Sequence, residues 1–194
     1  MKPFPSYLMV SFGVAREFPG EPELLSIVLD EPIQIDLQTK LEIASYRIFN
    51  YDPNFAPPGK TAIVSFIPTY EFDYWAKLYE NSPEEYQSEK KRVAAAIVDI
   101  FEKRYPGSKE KIEVIDVATP ATVFRYTGNW QGSMEGWLIT PQTGIRQLPS
   151  TIPGIHNFHM VGQWISPGGG LPSGLLTARN VIGKLKFRGF TSKS

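Results

Sequence analysis

At 194 residues the chain can form one large domain, or one domain with an appendage, and its 42% apolar, 13% aromatic and 21% charged residues exclude global disorder. Lysine plus arginine equals aspartate plus glutamate at 20 each, so no net field draws the chain to nucleic acid or anionic lipid. With no cysteine, disulfide frameworks, thiolate metal sites and cysteine nucleophiles are all excluded. A spanning helix needs about 20 apolar residues, whereas the longest uninterrupted apolar run covers residues 93–98. Lys2 with Tyr7-Leu8-Met9-Val10 has the opening of a signal peptide, but no small-residue cleavage site follows and Arg16-Glu17 interrupts it. A cytoplasmic chain is expected, with peripheral membrane contact left open.

Residues 7–18 are apolar and partly alternating, and Gly20-Glu21-Pro22 supplies a turn before residues 24–35, so two antiparallel strands are expected. Residues 41–49 offer a third strand. Asp52-Pro53-Asn54 and Pro57-Pro58-Gly59 then mark loops before the β-branched run of residues 61–67. Residues 71–80, with Phe72, Trp75, Leu78 and Tyr79, read as a short helix. A longer one starts at Ser82-Pro83-Glu84-Glu85, where Ser82 and Glu85 form a capping box and Pro83 fits the first helical position. Tyr86, Val93, Ile97, Ile100, Phe101 and Tyr105 place its apolar stripe against the sheet, and Pro106-Gly107 ends it.

Residues 111–117 are again β-like. Gly128, Gly132 and Gly136 recur at every fourth position among Asn129, Gln131 and Glu135, which reads as a glycine-rich loop. Residues 152–164 are expected as a strand. Pro167-Gly168-Gly169-Gly170-Leu171-Pro172 then leads to Leu175, Leu176, Ala178, Val181, Ile182 and Leu185 at helical spacing, and a polar tail over residues 188–194 is expected to fray. A glycine run between strand and helix removes Cβ atoms from the turn and exposes backbone amides at the positive helix end, a site for an anion or polar ring. The dinucleotide fingerprint Gly-x-Gly-x-x-Gly does not fit there, because Ser173 stands at the third glycine position.

Other chemistry is thinly represented. His156 and His159 fall on opposite faces of the expected strand, so no metal site is expected. Ser133, Ser150 and Ser173 lack the glycine pattern of a nucleophile elbow. The acids Glu84, Glu85, Glu89 and Asp99 belong to a solvated helix face, and no side chain stands out as a catalytic acid or base.

Ile152-Pro153-Gly154, Val161-Gly162-Gln163-Trp164, the run from Pro167 to Gly174 and Ala178-Arg179 together resemble the C-terminal end of FAD-dependent oxidoreductases of the phytoene desaturase, carotenoid isomerase and retinol saturase-like type. The likeness extends upstream through Asp52-Pro53, Ala56-Pro57-Pro58-Gly59-Lys60, Thr119-Pro120-Ala121-Thr122, Arg125-Tyr126-Thr127-Gly128 and Gly136-Trp137. The resemblance implies an α+β fold in which residues 1–150 form a substrate-domain-like antiparallel sheet with packed helices. Residues 151–194 would supply the C-terminal strand-turn-helix of a flavin-binding α/β domain. FAD is the implied cofactor, with Gly162, Gln163, Trp164, Gly168, Gly169, Gly170, Leu171 and Pro172 as its binding residues. Tyr126 and Trp137 are the implied lining of a cavity for a hydrophobic unsaturated substrate.

Enzymes of this type open with a βαβ unit that holds the nucleotide half of FAD, and this sequence contains none. The expectation is a fragment, a truncated product or one piece of a split enzyme, whose uncovered apolar surface would pair with a partner chain or with itself. A flavin amine oxidase-like fragment and a non-catalytic association module are the alternatives.

Overall fold

The computed structural model describes residues 1–144 and 147–191. They form two compact units, one comprising Ser6–Gly132 and the other Met1–Pro5 with the chain from Ser133 onward. The first holds a five-stranded antiparallel sheet of β1 (Ser6–Val14), β2 (Leu24–Gln34), β3 (Lys40–Ile48), β4 (Thr61–Thr69) and β5 (Ile112–Ala118), in the order β2-β3-β4-β1-β5. Helices α1 (Phe72–Asn81), α2 (Pro83–Arg104) and α3 (Pro120–Thr127) complete this unit. The second contains α4 (Gly170–Thr191) and, among the described residues, no β-strand.

Period-two patterning sets the sheet's inner face: Leu8, Val10, Phe12 and Val14 of β1 are buried, while the residues between them are only half-buried. Against that face packs the stripe of α2, with Val93, Ile97, Ile100 and Phe101 in the core. Phe101 meets Phe12, Phe18, Tyr46 and Tyr105 at ring separations of 4.8–5.6 Å. Buried Tyr46 donates its hydroxyl to Ile97 O at 2.8 Å, and burial pushes that phenol well above its ordinary pKa. The β2–β3 turn is tied to α1 by buried Asp36, which accepts from Thr39 N–H, the Thr69 hydroxyl and Trp75 Nε1 at 3.0, 2.8 and 3.2 Å.

The Ser82 capping box does not form, and its geometry explains why. Ser82 is both the residue after α1 and the residue before α2, so its N–H donates to Leu78 O at 3.0 Å instead of to the Glu85 carboxylate; no side-chain cap bond is made. A capping box forms instead at Thr119-Pro120-Ala121-Thr122, which opens α3, a helix that the periodicity did not reveal because it has only eight residues. Gly128 closes it in the left-handed conformation, φ 65°.

Residues 152–164 do not form the expected strand. Gly154, Asn157 and Gly162 have φ of 81°, 56° and 113°, which breaks an extended backbone, and no described strand of the same unit offers a ladder. The helix after the glycine turn is present, but of its expected apolar stripe only Val181 is buried, on one face with Ser173 and Thr177, whereas Leu175, Leu176, Ile182 and Leu185 are exposed, as is Leu171. The part of the expected frayed tail up to Thr191 is helical, and residues 192–194 lie outside those described.

Candidate functional site

The glycine turn and its neighbours form one cluster. Gly168, Gly169 and Gly170 all have positive φ, 96°, 57° and 73°, and carry the chain into α4. The Ser173 hydroxyl donates to Gly169 O, and the Thr177 hydroxyl donates to Ser173 O while accepting from Gly162 N–H at 2.9 Å. Thr177, a small hydroxyl residue on this face of α4, thus fastens Gly162 to the helix. Trp137 Nε1 donates to Trp164 O at 2.9 Å, and the two indoles meet edge to face at 5.1 Å. Gly168 N–H donates to Trp137 O, and Phe4 N–H to Gly136 O, both at 2.9 Å.

What the glycines make room for is mostly the chain itself. A Cβ on Gly169 would lie 2.6 Å from Glu135 Cβ and 2.9 Å from Gly136 N; one on Gly168 would lie 3.0 Å from Ile139 Cδ1; one on Gly170 would lie 3.3 Å from Glu135 Oε1. The Glu135 carboxylate therefore stands beside the first turn of α4, where the helix dipole favours a negative group. Gly162 differs, since a Cβ there meets nothing within 4 Å, and Leu171 is 92% exposed. The structure thus brings Gly162, Gln163, Trp164, Gly168, Gly169, Gly170, Leu171, Pro172 and Trp137 into one unit, while Tyr126 belongs to the other. Trp137 is half-buried and held by Trp164.

Tyr126 is 78% exposed on α3, amid Tyr79, Phe124 and Trp130, which are also exposed. Arg125 lies over the rings of Tyr79 and Tyr126 at 5.4 and 4.8 Å and donates to the Tyr79 hydroxyl, a bond that raises the guanidinium pKa further. His156 lies in a turn and His159 in irregular chain, neither on a strand.

A second feature lies on the sheet face opposite α2. The register places Leu24, Ser26 and Val28 of β2 beside Arg47, Ser45 and Ile43 of β3, then Val64 and Phe66 of β4 beside Ser11 and Met9 of β1, and Asp116, Ala118 and Val114 of β5 beside Ser11, Met9 and Gly13. Leu24, Val28, Ile43, Phe66 and Val114 are all exposed there, although the outer face of an antiparallel sheet is ordinarily polar. A concavity of about 330 Å³ lies on this side, lined by Leu24, Ser45, Arg47, Phe49, Val64 and Phe66. Its sequence signal is β4, Ala62-Ile63-Val64-Ser65-Phe66-Ile67, which is apolar on both faces in the manner of a strand covered twice.

No family model matches the chain. It is similar to curated proteins named prolycopene isomerase, chloroplastic: 28% identical to the second such isomerase of an Oncidium hybrid cultivar over 94% of this chain, 28% to that of Arabidopsis thaliana over 91%, and 27% to that of Daucus carota over 93%. These alignments cover 32%, 30% and 30% of the relatives, so the chain spans about a third of the length of the curated relatives it matches. The compartment in their names differs from the cytoplasmic one expected from the sequence. Among the described residues no helix is long and apolar enough to cross a membrane.

Proposed function

We propose that this chain is the C-terminal portion of a FAD-dependent oxidoreductase acting on a hydrophobic unsaturated compound of the carotenoid or polyene type. The observation that carries the reading is similarity to prolycopene isomerases along more than nine-tenths of the chain. On this reading residues 1–150 belong to a substrate domain and residues 151–194 complete a flavin-binding domain.

The residues fit a flavin in part. Gly162 and Leu171 are open, whereas the space beside Gly168 and Gly169 is filled by Ile139, Glu135 and Gly136. Gly162, Gln163, Trp164, Leu171 and Pro172 would hold the cofactor, with Gly168, Gly169 and Gly170 shaping the turn that presents α4. Bound FAD would supply the redox chemistry; this chain's part is to bind and orient it and to offer an apolar surface to the substrate. The open sheet face, with Phe66, Val64, Leu24 and Ile43, suits a long hydrocarbon better than do Tyr126 and Trp137, which belong to different units.

The second reading, a non-catalytic association module, is favoured by the leucines exposed on α4, which would serve a partner chain or a second copy. Titration with FAD, followed by flavin fluorescence, separates the two. Leu171→Asp is the informative variant: so exposed a side chain has little to lose in folding, while Gly169→Val would drive a side chain into Glu135 whatever binds. Saturable binding weakened at least tenfold by Leu171→Asp supports the flavin reading, and isomerisation of prolycopene, assayed by chromatography, follows from it. Absence of saturable binding refutes a flavin site in this chain alone, and concentration-dependent association by light scattering then supports the module.

A further inference from the structure

In the unit formed by Ser6–Gly132, α2 and the edge strand β5 leave between them an open groove of about 550 Å³. It lies on the helix-bearing side of the sheet and has no part in the flavin reading. Its floor is apolar, formed by Ala94, Val98, Ile112, Ile115 and Val117. The groove exists because α2 carries alanine at both 94 and 95 where the helix passes β5: a larger side chain at either would fill the space that Ile115, 44% exposed, now faces. Such a volume is ordinary for a small-molecule site.

The rim is charged with one sign in excess. Lys90 and Lys91 stand on α2 one turn before the alanines, and Lys109 stands on the turn that leads to β5; Asp116 is the carboxylate among the lining residues. The cations are not equivalent. Lys109 is engaged by Asp99 at 2.6 Å, which leaves the ammonium groups of Lys90 and Lys91 to face a ligand. Lys90 is half-buried with its ammonium 5.5 Å from the centre of the Tyr86 ring, an arrangement that keeps its stem on apolar surface and its head at the groove mouth.

An apolar trough with two ammonium groups at one end is complementary to an amphiphilic anion, and we propose that this groove binds a free long-chain fatty acid. The acyl chain lies over Ala94, Ala95, Val98, Ile115 and Val117, and the carboxylate meets Lys90 and Lys91. The hydrocarbon supplies affinity through buried apolar area, and the lysines select the ionised head over a neutral one.

The test uses the full chain and palmitate below its critical micelle concentration, with binding followed by calorimetry. Saturable one-to-one binding is expected, at least tenfold weaker for hexadecanol, which has the same chain length and no charge. Lys90→Glu/Lys91→Glu should weaken palmitate at least tenfold and leave hexadecanol within threefold. Ala95→Trp, at an exposed helix position where the fold tolerates it, should weaken both ligands at least tenfold. Far-UV circular dichroism and the melting transition of each variant establish that it is folded. Palmitate binding that is absent, that matches hexadecanol, or that survives Ala95→Trp in a folded protein overturns the proposal; survival would move the site to another apolar surface such as the open sheet face.

Discussion

Gly136 is where the smallest substitution should have the largest effect. A Cβ built there lies 2.1 Å from Gln163 O, 2.7 Å from Gln163 C and 3.2 Å from Trp164 N. All three are backbone atoms, so no rotamer change relieves the contact, and real Cβ contacts essentially never fall below 3.0 Å. The two segments must part by roughly 1 Å, which strains the Trp137 Nε1 bond to Trp164 O and the Phe4 N–H bond to Gly136 O, both 2.9 Å long. Overpacking of this kind costs about 1–3 kcal/mol and a lost hydrogen bond about 1 kcal/mol more, so Gly136→Ala should destabilise its unit by about 2–4 kcal/mol. Gly183→Ala is the control: it lies within α4 with nothing within 4 Å of an added Cβ, and should stabilise by about 0.5–1 kcal/mol through helix propensity. Urea unfolding followed by tryptophan fluorescence reports directly, because Trp137 and Trp164 flank the perturbed contact. A Gly136→Ala variant within about 0.5 kcal/mol of the wild type, or no less stable than Gly183→Ala, would show that residues 136 and 163 are not packed as described.

Removing the Asp36 acceptor leaves the Trp75 indole N–H, the Thr69 hydroxyl and the Thr39 N–H without it, so Asp36→Ala should cost about 3 kcal/mol or more in urea unfolding; a loss below about 1 kcal/mol would refute the network. Glu102 accepts N–H bonds from Lys109 and Gly107 at 2.7 and 2.6 Å, and these hold its carboxyl below the ordinary value of 4.5. A depressed folded pKa contributes stability that is present above the ordinary carboxylate value and is lost as pH falls through the folded one. Glu102→Gln should therefore flatten the acid limb of the melting temperature against pH, and an unchanged limb would rule the carboxylate out as a contributor.

Much of the first unit was legible because its signals are local and mutually consistent. Alternation in β1, the Pro57-Pro58-Gly59 break and the stripe from Tyr86 to Tyr105 each describe an element that packs within the same unit. The failures share a different cause. Ser82 carried a correct helix-start pattern, but its N–H was already used by Leu78 O, and sequence spacing does not show that two helices share one residue. α3 was missed because eight residues hold too few turns for periodicity, although Thr119-Pro120-Ala121-Thr122 and the closing Gly128 announced both of its ends. Residues 152–164 have strand composition, yet a strand also requires a neighbour with free hydrogen-bonding groups.

The glycine turn shows why residue type alone left the site ambiguous. A triplet of glycines says that Cβ atoms are not tolerated, and says nothing of what excludes them. Here Glu135, Gly136 and Ile139 exclude them at Gly168 and Gly169, so those two glycines would be required with or without a ligand. Gly162 and Leu171 carry the discriminating information, one a glycine held by its φ of 113° with open space beside it and the other an exposed leucine at the start of a helix. A long hydrocarbon substrate, a flavin edge and a partner surface all bury exposed apolar residues of this kind. They differ in what a single charge does there: Leu171→Asp should abolish a flavin site or an association surface on α4, and leave unchanged the binding of a polyene to the sheet face of the other unit.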